Sequence, residues 1–179
     1  MRTTFKLIAG AAALAAAASS FAISAHFLRA DGTVDPKGVL VVDFKLAGLG
    51  DNVTDQITLT TQADATYQCF NNGSNAPQGV PFQIPTQVLT TTGDFTSGKN
   101  GNIVATIEAG PPDPAPAAAV SKCLDQGNKK LCMLAVSYSN SSLSDTFGAF
   151  IGVTPNPTER QFAAPSKQNP NPATCVTSL

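Results

Sequence analysis

Along most of this 179-residue chain, apolar side chains recur at every second position. In residues 38–46, Leu40, Val42, Phe44 and Leu46 fall on one side and Asp43 and Lys45 on the other. A period of two puts alternate side chains on opposite faces of an extended backbone, so it marks half-buried strands and not helices. Residues 56–61 alternate Ile57 and Leu59 with Thr, and residues 63–70 place Ala65, Tyr67 and Cys69 together. Residues 87–95 are Thr-rich and extended. After the turn Ser97-Gly98-Lys99-Asn100-Gly101, residues 102–109 return with Ile103, Ala105 and Ile107 aligned. Asn-Gly is a strong hairpin signal, so these two segments read as paired strands. Residues 131–140 align Cys132, Leu134, Val136 and Tyr138. Residues 142–153 align Leu143, Asp145, Phe147, Ala149 and Ile151. Asp145 interrupts that face, which puts it at a strand end or marks a slip of register.

Prolines in residues 110–119 rule out a central strand there, because proline lacks the donor a ladder needs. Residues 154–179 are rich in Pro and Asn, with Phe162 and Val176 as the anchoring candidates. The expectation is an all-β chain of seven or eight strands, with no helix beyond the N-terminal segment. That pattern fits an antiparallel β-sandwich, immunoglobulin-like or jelly-roll, with a small β-barrel as the alternative.

Residues 1–25 read as a signal peptide. Arg2 and Lys6 precede an Ala-rich apolar run over residues 7–18, too short to span a bilayer, and small residues follow. Cleavage is expected after Ala25, with Ala22 second. About 154 residues would remain, with a net charge of about −3. The expected organisation is a β-sandwich over residues 26–153 and a tail over 154–179 tethered by Cys175. No further stretch is long enough to span a membrane, so the mature chain is expected to be extracellular and monomeric. Charged residues make up only 13% of the chain, Lys+Arg 11 against Asp+Glu 12, which leaves no basic stripe for nucleic acid.

The four cysteines, Cys69, Cys123, Cys132 and Cys175, fit two disulfides in a secreted chain. Three connectivities are open. The turn signal Gln126-Gly127-Asn128 between Cys123 and Cys132 favours a local bridge, leaving Cys69 for Cys175. No C-x-x-C spacing suggests a metal site, and a nucleophilic cysteine lacks a partner histidine. Asn52, Asn72 and Asn140 begin N-x-Ser/Thr triplets and are glycosylation acceptors in a eukaryotic host.

The single histidine, His26, excludes most enzyme classes. At a mature N-terminus its amine and imidazole would chelate copper. A full two-imidazole brace is excluded by count, leaving a weak copper site completed by a carboxylate, against the ordinary reading of a surface histidine. Ser-His-Asp triads fail because the sole histidine reads as preceding the first strand and no Gly-x-Ser-x-Gly elbow occurs. Glycoside hydrolysis needs two facing carboxylates. The only glutamates, Glu108 and Glu159, read as outward-facing and tail-borne. Asp51, Asn52 and Asp55, near Gly48 and Gly50, offer clustered oxygens for Ca²⁺, though the spacing is not that of an EF-hand and the residues are ordinary turn formers. Tryptophan is absent, and Tyr67 and Tyr138 lie on inward faces, which weakens a sugar-stacking platform. No cofactor is expected.

Three groups of segments occur in order: Ala25-His26-Phe27; Tyr67-Gln68-Cys69-Phe70-Asn71-Asn72-Gly73 with Ser97-Gly98-Lys99-Asn100-Gly101; and Val136-Ser137-Tyr138 with Leu143-Ser144-Asp145-Thr146. In this set the chain resembles a family of small secreted proteins of unknown function from actinobacteria and filamentous fungi. The resemblance implies no activity and no site residue. It departs after Asn75, where Ala76 and Pro77 replace an expected Asn-Cys-Pro step, and this too favours Cys175 as the partner of Cys69. The functional expectation is a non-enzymatic secreted protein acting by surface recognition, as an elicitor or effector at a host or cell-wall interface. The alternatives are a module binding cell-wall polysaccharide, and a cryptic hydrolase or copper-binding protein.

Overall fold

A computed structural model describes residues 24–115 and 117–177. Nearly all of the signal-peptide segment lies outside the described residues. The strands are β1 (His26–Val34), β2 (Leu40–Ala47), β3 (Thr54–Asn71), β4 (Pro77–Gln83), β5 (Gln87–Thr96), β6 (Ile103–Ala109), β7 (Lys129–Ser144), β8 (Phe150–Val153), β9 (Glu159–Gln161) and β10 (Cys175–Val176), with a helix α1 (Ala118–Leu124) between β6 and β7. They form two antiparallel sheets, one of three strands ordered β1-β2-β6 and one of seven built on β3 and β7. Apart from an isolated parallel bridge between Gly32 and Pro155, no strand pairing joins the two sheets, so the fold is an antiparallel β-sandwich and not a closed barrel.

The alternation read from the sequence defines the core. Leu40, Val42, Phe44 and Leu46 are fully buried, as are Ile57, Leu59 and Ala63 on the facing sheet. Each large aliphatic removed from water in this way contributes roughly 1.5–3 kcal/mol. Phe44 sits edge-on to both Phe27 and Phe95, at centroid distances of 6.1 and 5.3 Å, which ties β1 and β5 to the centre. The Tyr138 hydroxyl donates to the Gly38 carbonyl at 2.6 Å, pinning β7 to the β1–β2 turn across the sandwich.

Several expectations need correction. Among the described residues ten strands form where seven or eight were expected, and α1 forms in a region read as strand-free connection and turn. His26 does not precede the first strand but begins it. Residues 87–95 and 102–109 do not pair: β5 pairs with β3 and β6 with β2. Here the turn over residues 97–101 carries the chain from one sheet to the other, and Ser97 is tied back to Val53 and Gly50 instead. Residues 142–153 are not one strand. β7 runs to Ser144, turns through Asp145–Ala149, and returns as β8.

The disulfides also differ from the expected pairing. Cys69 joins Cys123, and Cys132 joins Cys175. The reason is a β-bulge in β7. Thr66 opposes Ala135 but Tyr67 opposes Met133, so Leu134 is an extra residue. One inserted residue reverses every side chain beyond it. Val136 and Tyr138 therefore face the core together with Leu131 and Met133, and Cys132 points outward. There it lies directly opposite Cys175 of β10, with 4.0 Å between Cα atoms. Cys69 faces inward, beneath α1, and meets the buried Cys123. The tail is tethered by Cys175 as expected, but to β7. It also adds β9 and β10 to the sheet, with Phe162 packed on the core and Val176 left 38% exposed.

Candidate functional site

The register of three strands builds a polar row on the outer face of the larger sheet. Asp64 of β3 opposes Ser137 of β7, and Ser137 opposes Glu159 of β9. Directly opposed residues share a face, so two carboxylates flank one hydroxyl, their backbones about 10 Å apart across two strand spacings. Two adjoining clefts, of about 150 and 350 Å³, share these three residues in their walls. One runs toward Gln83 and Ile84, the other toward Asn140 and Thr158. Asp64 and Glu159 are exposed. Thr86 donates its hydroxyl to Asp64 at 2.5 Å, and the Gln161 amide donates to Glu159. Carboxylates held by neutral donors and open to solvent are acceptors for ligand hydroxyls and amides.

The same outer face continues as a ladder of small polar side chains between β3 and β5. Thr54 meets Thr96 at 2.9 Å, Gln56 meets Asp94 at 3.3 Å, and Thr58 meets Thr92 at 3.3 Å. Such cross-strand pairs solvate the sheet with few charges, Asp94 being the one carboxylate in these three pairs.

The two tyrosines serve the core. Tyr67 donates to the Pro112 carbonyl at 2.9 Å, and burial, with a smaller contribution from the charge of Asp113, pushes its phenol up to about 12. Burial also pushes Tyr138 far up. Neither presents a ring for sugar stacking.

The remaining sequence candidates are dispersed. His26 is exposed at the start of β1, and its Nδ1 donates to the Ser24 carbonyl at 2.8 Å. Glu108 is exposed on β6, in the three-stranded sheet, whereas Glu159 lies on β9 in the larger one. Asp51 and Asn52 sit exposed in the turn before β3, whereas Asp55 is buried and accepts from Thr146. The Asp51–Asn52–Asp55 cluster, weighed for Ca²⁺ against ordinary turn chemistry, is thus split between solvent and core. Among the described residues no three of His, Cys, Asp and Glu gather as a metal site. Asn52, Asn72 and Asn140 are all exposed. Sequence reasoning missed Asp64 altogether, and the alternation around Ala63 and Ala65 was the signal that placed it outward.

No family model matches the chain, and the comparisons with curated proteins and with solved structures find no match either. No helix among the described residues is long and apolar enough to cross a membrane.

Proposed function

We propose that the protein is a secreted, non-enzymatic recognition protein whose outer sheet face takes a hydroxyl-rich polymer of the cell-wall polysaccharide class. The observation that carries this reading is the Asp64–Ser137–Glu159 row running between two open polar clefts. Its acceptors and hydroxyl suit a chain of sugar hydroxyls bound edge-on, without aromatic stacking. The buried tyrosines and the dispersed His26, Glu108 and Asp51 supply no competing constellation.

Retention of the purified protein on insoluble chitin, β-glucan and cellulose tests it. Retention on at least one is expected, with Asp64→Asn or Glu159→Gln weakening it roughly tenfold each as a charged hydrogen bond is lost. No retention on any of the three overturns the polysaccharide ligand. Infiltration of leaf tissue separately tests action at a plant host, where a cell-death or defence response is the result expected of an elicitor.

A further inference from the structure

The β7–β8 turn closes over two neighbouring carboxylates, Asp55 buried and Asp145 half-buried. Asp55 is 2% exposed and faces inward from the start of β3. Its Oδ1 accepts from the Thr146 hydroxyl at 2.6 Å and from the Thr146 amide at 3.3 Å. Asp145, the residue before, directs its Oδ1 to the amides of Phe147 and Ala149 at 3.0 and 2.6 Å. The second oxygen of each carboxylate, Oδ2, is shielded from solvent and has no hydrogen-bond partner. Among the described residues no Lys, Arg or His lies in ion-pair range of either; the only such pair is Arg29 with Asp31. Two buried anionic oxygens left open carry a desolvation cost that an unsatisfied group in a native fold normally recovers from a bound ion or water.

We infer that Asp55 and Asp145 form the anionic half of a divalent-cation site at this end of the sandwich, with Ca²⁺ as the ion that fits. The donors are oxygens only, which select a hard cation over zinc or copper. Two carboxylates match the doubled charge, and a flexible coordination sphere completed by water suits calcium better than the strict octahedron of magnesium. Thr146, Phe147 and Gly148 are exposed, so an ion enters by local movement of the turn alone. The site is distinct from the Asp64–Ser137–Glu159 row and does not depend on it.

Thermal unfolding of the purified full-length protein, stripped with EDTA and titrated with CaCl₂, tests the inference. With only two carboxylates the dissociation constant falls in the weak range of about 0.1–1 mM, and 5 mM Ca²⁺ raises the melting temperature by roughly 3–6 °C in a saturable manner. Asp145→Asn abolishes the rise while folding in EDTA, and Asp55→Asn does the same. Asp51→Asn, in the exposed turn nearby, leaves the rise intact. If Asp55→Asn fails to fold, Asp145→Asn and isothermal titration calorimetry of the wild type still decide. No binding heat and no shift with Ca²⁺, Mg²⁺ or Mn²⁺ at 10 mM overturns the site, as does a rise that survives in Asp145→Asn. A wild type that gains stability in EDTA on mild acidification, with nothing added by calcium, means the pair holds a proton instead, and also overturns it.

Discussion

The two ends of the β3–β7 ladder bury charge in opposite ways. At the end formed by Asn71 and Lys129, a cation is buried and its donors are met. Lys130 is 1% exposed, and its ammonium donates to Asn75 Oδ1 at 2.7 Å, to Asn171 Oδ1 at 3.3 Å, and to the Pro170 carbonyl. Both disulfides lie at this end, so the tail that supplies two of those acceptors is held covalently. At the other end, Asp55 is buried and Asp145 half-buried, each with one shielded oxygen that has no hydrogen-bond partner, and no covalent link holds the turn that covers them. One end is a closed structural lock. The other keeps unspent electrostatic capacity, which is what a ligand site requires and a lock does not.

Cutting the lock gives the largest effect. Replacing Cys69 and Cys123 together with Ala removes a constraint on 54 residues of chain, worth about 4 kcal/mol by loop-closure entropy. Replacing Cys132 and Cys175, separated by 43 residues, costs nearly as much. Urea denaturation measures both. A loss below about 1 kcal/mol for either would show that non-covalent packing already closes that end.

Lys130→Met comes next. It keeps the bulk but strands the acceptors of Asn75, Pro170 and Asn171, at a cost of about 2–3 kcal/mol. The loss should be local. Hydrogen exchange should quicken over residues 163–176, while the amides of β2 and β6 stay protected. Uniform loss of protection would mean the tail is part of the cooperative core.

These contrasts explain which parts of the molecule are legible in its sequence. The inward faces of β2, β3 and β6 follow from alternation because their local rule and their tertiary surroundings agree. The bulge at Leu134 obeys no local rule. It turns Cys132 to the outer face, so the choice of disulfide partner hangs on a residue that carries no signal. Asp64 was readable as outward but not as a site, since its meaning comes from Glu159, 95 positions away in the chain. Asp145 was conspicuous as an acid on an apolar face. Its partner Asp55 was read with the turn before it, because only the fold shows that β3 has already turned that side chain inward.

Between the two ends lie the tyrosines, and their titration gives a smaller, pH-dependent effect. Both phenols sit above the ordinary value near 10, with Tyr67 at about 12, because burial disfavours the phenolate. A raised folded-state value means the native chain keeps protons that the unfolded chain releases. The stabilisation is complete below pH 10 and is lost as pH rises from about 10 through 12. With only two tyrosines in the chain, phenolate absorbance should stay flat to above pH 10 and then rise together with unfolding. Early absorbance from one tyrosine would place its hydroxyl in solvent.

The smallest effect tests the open end directly. Burial, opposed by the amide of Ala149, and the nearby charge of Asp55 raise the Asp145 carboxyl above its usual range. With metal chelated, the folded chain therefore binds a proton here more tightly than the unfolded chain does. This contribution favours folding at low pH and is lost as pH rises through the raised value. Asp145→Asn removes the charge, keeps Oδ1 as acceptor for Phe147 and Ala149, and places an amide beside Asp55. In EDTA at pH 7 the variant should match wild type or slightly exceed it, and the difference should fade on acidification as the wild-type carboxyl protonates. At the closed end, removal of the buried Lys130 charge costs several times more. Opposite responses to loss of charge would show that the lysine end is complete as folded and the aspartate end is not. A large loss from Asp145→Asn in EDTA would make the two ends alike and reduce both to structural locks.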